Sequence, residues 1–311
     1  MIKKTLYFGN PAYLSLANKQ LVVRLPEVEK NKDLPDIIKQ SAVKTIPIED
    51  IGVVILDHKQ ITITQAVIAA LLDNTVSLIT CNDKRMPTGL LLPLQGNNTQ
   101  NERFRKQIEA SLPLKKQLWQ QTIKAKIDNQ ATLLEQIIHR QAKTLRRLSS
   151  EVKSGDTDNC EAQAAVYYWH NLFPDIPDFV RGQDEDPPNN LLNYGYAILR
   201  AVVARALVAS GLLPVYGIFH HNKYNDFCLA DDIMEPYRPF VDQVVISMMA
   251  KYDDLSTLTT EMKRDLLQIP VLDVKISNKR SPLMIAVSQT TASLAKCFNG
   301  EARRIAYPYF P

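Results

Sequence analysis

Little in this chain can carry chemistry through sulfur. Its four cysteines, Cys81, Cys160, Cys228 and Cys297, are scattered through 311 residues without a C-x-x-C pair. That argues against a zinc knuckle, a redox dithiol or a disulfide framework, and for a reducing compartment. Glycine is scarce too, 10 residues against 18 prolines, so collagen-like compositions are excluded. Long apolar runs are missing: no window approaches 18 consecutive apolar residues, and the opening MIKKTLYFGN runs into Gly and Asn without a signal-peptide core. The expectation is a cytoplasmic protein with no membrane partner.

What is present is an ordinary globular composition, 45% hydrophobic and 23% charged, in a chain long enough for two domains. Net charge is only +4, but it is unevenly spread. Residues 99–150 hold 11 Lys and Arg against 4 Asp and Glu, whereas residues 151–250 hold 6 against 14. A basic stretch followed by an acidic one suits a molecule that binds both an anion and a metal. From counts alone, two solvated helix faces of opposite sign are the simpler explanation.

From Lys4 to Leu25 and from Thr45 to Thr64, β-branched and aromatic residues alternate with polar ones, punctuated by Asn-Pro, Asn-Lys and His-Lys. This is strand patterning. Thr64–Leu72 has helical composition behind a Thr cap, and Thr75–Cys81 returns to a strand. The Pro/Gly/Asn-rich passage 87–99 suits a connection between domains. Beyond it, apolar residues recur at three- and four-residue spacing (Leu118, Ile123, Ile127, Leu133, Leu134, Ile137, Ile138), broken at Pro113. Further helical windows are 161–172, 190–210, 232–250, 256–267 and 281–298, and 181–190 reads as an exposed loop. The fold class expected is α+β: a β-rich, sandwich-like domain over 1–90 with one short helix, a linker over 91–100, and a larger all-α domain over 101–311.

Three places put metal-ligand side chains at helix boundaries. In G-D-T-D-N-C-E-A-Q-A-A (155–165) an Asp/Asn-rich turn launches an Ala-rich helix with Glu161 in its first turn. A carboxylate there also favours the helix dipole by about 0.3–1 kcal/mol, which needs no ligand. In G-I-F-H-H-N (217–222) one histidine of the pair can point inward while the other meets solvent. In L-A-D-D-I-M-E-P-Y-R-P (229–239) Asp231 or Asp232 can cap the helix, and Asp232 and Glu235 are three apart, on one helical face. Like charges so placed repel unless a cation sits between them, and carboxylates with one imidazole suit Mg²⁺ or Mn²⁺. Arg238 is an equally good local partner for Glu235.

The ordered motifs G-D-x-x-N-x-E-A-x-A-A-x-x-Y-W (155–169), L-L-N-Y-G-Y-A-I-L-R-A (191–201), G-L-L-P-V-Y-G-I-F-H-H-N (211–222) and L-A-D-D-I-M-E-P-Y-R-P-F-V-D (229–242) resemble the CRISPR-associated adaptation integrase, the universal first protein of CRISPR systems. The third and fourth are most similar to the branch found beside type II systems. The resemblance implies a dimerising N-terminal β-sandwich and a helical domain holding one Mg²⁺ or Mn²⁺ through Glu161, His220 and Glu235, with Asp232 as a further acidic candidate. It implies insertion of short DNA fragments into a CRISPR array by attack of a 3′-hydroxyl on a phosphodiester, with DNA endonuclease activity as the hydrolytic side of the same site. The implied partners are a second copy of the chain, a small ferredoxin-like adaptation subunit bridging two dimers, double-stranded fragments with 3′ overhangs, and CRISPR repeat DNA.

Arg103, Arg105, Arg146, Arg147, Arg181 and Arg238 are candidates for phosphate contacts, and Tyr168 for stacking on a strand end, although aromatics at that helical position pack into a core as readily. The terminal A-Y-P-Y-F is expected to become ordered only in the complex. Two other readings compete: a structure-specific metal nuclease acting on branched DNA, and a non-catalytic DNA scaffold whose acidic helix ends are merely capped.

Overall fold

The computed structural model describes residues 3–31, 33–176, 179–182 and 186–311. The chain divides into two compact units, Met1–Gly96 and Asn97–Pro311. In the first, the alternating segments become strands β1 (Lys4–Phe8), β2 (Ala12–Ala17) and β3 (Gln20–Arg24). After the short helices α1 (Pro26–Glu29) and α2 (Asp36–Ser41) come β4 (Lys44–Pro47), β5 (Ile51–Leu56), β6 (Ile61–Ile63), α3 (Gln65–Asp73), β7 (Ser77–Cys81) and β8 (Pro87–Leu91).

One sheet runs β1-β5-β7-β8, the first three strands parallel and the last antiparallel; the other runs β4-β3-β2-β6. Asn18 and Lys19 join β2 to β3 with positive φ at both positions, as a two-residue hairpin turn requires. Leu14 and Leu21 from one sheet meet Val54 and Leu78 from the other, with Val67 and Leu71 of α3 closing the core. The expected sandwich is therefore present. Part of the passage read as a connection is instead β8, where Pro87 stands first in a strand at the edge of its sheet, a place that tolerates its missing N–H.

The second unit holds α4 (Gln100–Ile108), α5 (Leu112–Ile138), α6 (Lys143–Glu151), α7 (Cys160–Leu172), α8 (Asn189–Ala209), α9 (Cys228–Met234), a 3₁₀ turn over Glu235–Tyr237, α10 (Arg238–Met249), α11 (Thr260–Leu266), strands β9 (Asp273–Ile276) and β10 (Lys279–Pro282), and α12 (Leu283–Phe298). Pro113 does not break a helix. It sits in the first turn of α5, behind an Ser111 cap whose hydroxyl accepts from Leu114 N, and His139 ends the helix in the left-handed region. Helix α8 is long and apolar enough to cross a membrane by composition, but most of its apolar window is buried inside the unit. The larger unit is also not wholly helical: β9 and β10 pair around Ser277 and Asn278, again with positive φ at both turn residues.

The C-terminal tail corrects the expectation of order only in a complex. Tyr307 shares a hydrogen bond with Thr122, Tyr309 pairs with Lys275, and Phe310 stacks on Phe240 with ring centroids 4.2 Å apart. The buried Phe310 ring, the Tyr307 hydrogen bond and the backbone pairing of Tyr309 hold the segment within the chain. Of the 181–190 loop, residues 183–185 lie outside the described residues.

Candidate functional site

The acidic positions are set by three separate pieces of local structure. Helix α7 begins after Gly155, Asp156 and Asn159, all with positive φ. The Asp156 carboxylate then accepts from the backbone N–H groups of Cys160 (2.9 Å) and Glu161 (3.0 Å). Two of the orphan donors at the helix start are thereby satisfied, and Glu161 is fixed in the opening turn.

The second piece is the loop before α9. Asp232, fully buried, accepts from Ile218 N (2.7 Å) and Phe219 N (3.0 Å) on one oxygen, and from His220 N (3.2 Å) and His220 Nδ1 (2.5 Å) on the other. The loop closes so tightly that a Cβ at Gly217 would run into the His220 carbonyl and lie 2.8 Å from Asp232 Oδ2. Glycine is needed there for close approach. With Nδ1 engaged, His220 keeps Nε2 for another partner, and the Asp232 hydrogen bond holds the imidazole above its ordinary pKa in spite of partial burial. His221 is exposed, its Nδ1 against the Phe219 carbonyl. The pair splits one inward, one outward.

This arrangement corrects the reading of Asp232 and Glu235 as a pair facing one cation. Neither aspartate caps α9, whose N-cap is Phe227. Asp232 spends both oxygens on the loop and orients His220. Asp231 turns to Arg200 (2.6 Å) and Asn225 (2.8 Å). Glu235, in the 3₁₀ turn beyond the helix, is engaged by Lys126 and Arg238 instead.

The third piece is helix α5. Lys126 Nζ stands 2.7 Å from Glu161 Oε1 and 2.7 Å from Glu235 Oε2, and Arg238 Nη2 lies 2.9 Å from Glu235 Oε1. Burial alone would push Lys126 down, but the Glu235 and Glu161 carboxylates outweigh it and raise it. Burial likewise would raise Glu235, yet Arg238 and Lys126 hold it below the ordinary carboxylate value. Lys126 escaped the sequence reading. Its signal was present: it falls in the buried stripe of α5 with Trp119, Thr122, Ile123 and Gln130, and a lysine at an inward helical position needs an internal counter-charge.

Glu161 and Glu235 therefore converge on one cation position, and His220 is near enough for both to act on its charge. Among the described residues no three His, Cys, Asp or Glu side chains already form a metal cluster, since the cation between the two carboxylates is an ammonium. The donor set nonetheless fits a divalent ion. Glu235 Oε2 is buried with the Lys126 ammonium as its near partner, and the Nε2 nitrogen of His220 adds the imidazole.

The remaining candidates fare differently. Tyr168 is fully buried, and its hydroxyl donates to Asp242 Oδ2 (2.8 Å), so it is a core residue and not a stacking surface. Arg103 donates to the Ser210 carbonyl (2.6 Å), Arg146 pairs with Glu135 (2.6 Å), Arg147 with Glu151 (2.8 Å), and Arg181 bonds Asn193 (2.7 Å). Arg238 is committed to Glu235, and Arg105 is exposed.

A mixed β-sandwich followed by a helical unit with an acidic, histidine-bearing centre defines a class of protein, and comparison narrows it. Residues 6–257 match the profile of the family described as CRISPR associated protein Cas1. The chain is 36% identical over 294 residues to the CRISPR-associated endonuclease Cas1 of Neisseria meningitidis serogroup C, covering 94% of this chain and 91% of that one. In three dimensions it is similar to a casposase bound to integration product, with a TM-score of 0.75 at 20% identity, over 98% and 92% of the two chains. It is also similar to a chain of a Cas6-RT-Cas1–Cas2 complex, with a TM-score of 0.72 at 21% identity, over 97% of this chain and 35% of that one. The chain belongs to the Cas1 family.

Proposed function

We propose that this protein is a divalent-metal-dependent DNA integrase of CRISPR adaptation. The observation that carries the reading is the convergence of Glu161 and Glu235 on a single buried cation position beside an oriented His220. The three residues would hold Mg²⁺ or Mn²⁺, which supplies Lewis-acid stabilisation of charge developing on the scissile phosphate. Asp232 holds Nδ1 of His220 and so leaves Nε2 for the metal. Arg238 and Lys126 keep the buried Glu235 carboxyl below its ordinary value. The exposed half of the His220 side chain leaves the centre open to a strand end.

The reaction proposed is transesterification: a fragment's 3′-hydroxyl oxygen bonds to phosphorus at the repeat boundary as the bridging P–O bond breaks, and the proton of the attacking hydroxyl offsets the charge on the leaving oxygen. Water in place of the hydroxyl gives a nick, the reading favoured by the name of the Neisseria relative. The working assembly proposed is cytoplasmic: a homodimer, joined to a second by a small ferredoxin-like subunit, with overhang-bearing fragments and CRISPR repeat DNA. The test is strand transfer of a short 3′-hydroxyl duplex into a supercoiled repeat-bearing plasmid, with the small partner and Mn²⁺. Joined product is expected to fall about 10²–10³-fold or more in Glu161→Ala and Glu235→Gln. Nicking without joining would favour the nuclease, and product surviving Glu161→Ala would remove Glu161 from the site.

A further inference from the structure

The loop that carries His220 also carries aromatic rings that the chemistry above does not use. Phe219 is 42% exposed, and its ring lies flat on that of Trp119, with centroids 4.2 Å apart and planes 2° apart. Trp119 is itself only 1% exposed, so its ring is a fixed floor in α5 and one face of Phe219 is covered. The exposed area belongs to the other face and the ring edge. The His220 ring stands edge-on to both, 5.6 Å from Trp119 and 5.4 Å from Phe219, each at 86°.

The backbone under this ring is also locked: Phe219 N and His220 N donate to Asp232, and the Phe219 carbonyl meets His221. An apolar ring held this firmly, half in solvent and beside the proposed reaction centre, is placed to receive something flat. Its neighbours favour an anionic strand over an apolar protein partner. Tyr216 and Tyr224 on the same loop are 36% and 81% exposed, and the exposed Lys223 places its ammonium 4.7 Å from the Tyr224 ring centroid. Exposed Lys116 lays its side chain across Gly155, over the loop that launches α7. Aromatic faces interleaved with cations are the recognition chemistry of single-stranded nucleic acid, because every unpaired base has a flat face and every link a phosphate.

We infer that the open face of Phe219 is a stacking platform for an unpaired base at a single-stranded DNA end, seated on Trp119 and adjoining His220. Phe219 is then a positioning residue: it fixes the base, and so the nearby backbone, relative to the imidazole. The inference rests on the proposed action on DNA, but the stacking itself needs no metal.

The test uses the full-length protein in EDTA and a short duplex whose 3′ single-stranded extension carries 2-aminopurine at its terminal or penultimate position. Wild type is expected to quench the probe. Phe219→Leu, which keeps apolar volume without a flat face, should lose the quenching and weaken binding of the extended duplex about 5- to 100-fold. Phe219→Tyr should retain both, and blunt duplex should bind all three alike. Unchanged quenching and affinity in Phe219→Leu, with its near-ultraviolet circular dichroism intact, would overturn the platform while leaving the integrase reading standing. Equal weakening for blunt and extended duplex would overturn it as well, by making Phe219 a general contact. Phe219-dependent quenching in a protein that never joins strands would sink the integrase reading and keep the platform.

Discussion

Glu235 and Asp242 lie within three turns of each other along the chain, 3% and 1% exposed, and yet they end with opposite acidities. Burial pushes both carboxyls up. At Glu235, the formal charges of Arg238 and Lys126 reverse that push and leave the group more acidic than usual. At Asp242 the direct partners are neutral hydroxyls, Tyr196 at 2.5 Å and Tyr168 at 2.8 Å, and burial wins, so the carboxyl is pushed up to about 6. Hydrogen bonds, with Arg238 and Arg181 acting only at a distance, leave much of the desolvation cost in place, whereas directly paired cations outweigh it. The first environment keeps a carboxylate ready for a metal; the second ties α7, α8 and α10 together.

The strongest way to break this contrast is to remove the cation from the charged site. Lys126→Met keeps the length of the side chain but removes the cation that Glu161 and Glu235 share, leaving Arg238 as the charge partner of Glu235 alone. A loss of about 3–5 kcal/mol in unfolding free energy is expected, the usual cost of breaking a buried pair from one side. Denaturant titrations in EDTA measure it. Adding Mn²⁺ should restore more stability to the variant than it adds to wild type, since the metal no longer competes with an ammonium. A variant as stable as wild type in EDTA would mean that the carboxylates relax apart and that the convergence is loose.

The neutral site is tested by pH. Asp242 binds its proton more tightly in the folded protein than at its ordinary value of 3.8, so its protonated form contributes stability that is complete below about pH 4 and lost as pH rises through about 6. The span corresponds to about 3 kcal/mol. Asp242→Asn lacks the titration, so the stability difference between wild type and variant should change by that order between pH 4 and 6 and be flat above. A difference that instead grows in favour of wild type with rising pH would mean that cations reach Asp242 as they reach Glu235.

Much of this was open to reading in the residues. The alternation over 4–25 and 45–64 specified strands because one sheet face is apolar, and Glu161 was placed in an opening helical turn by the Asp/Asn run before it. The partnership of Glu235 with Arg238 followed from helical spacing. What escaped were relations between distant segments. Lys126 meets Glu161 and Glu235 across 35 and 109 residues of chain, and no local pattern encodes that meeting. Asp232 looked like a ligand because its spacing to Glu235 puts the two on one helical face; its actual partners, the backbone N–H groups of Ile218, Phe219 and His220, lie on a preceding loop that the spacing does not reveal. Tyr168 looked available because its hydroxyl, two turns beyond Glu161, has no visible partner until α10 brings Asp242 to it.

The smallest expected effect follows from that last point. Tyr168→Phe removes one of the two hydroxyls that favour the ionised form of Asp242 and alters no surface, because the ring is fully buried. Near pH 7, where the carboxylate is charged, the loss should be about 1–2 kcal/mol, that of one hydrogen bond to a buried acceptor. Near pH 4 the carboxyl is protonated, and the loss should shrink. The remaining Tyr196 bond cannot hold the acid at its former strength, so the pH window of the preceding test should move upward in the variant. Binding of overhang-bearing DNA should be unchanged, in contrast to Phe219→Leu. A Tyr168→Phe protein with weakened DNA binding but an unmoved pH window would return Tyr168 to the DNA surface and leave Asp242 without its proposed partner.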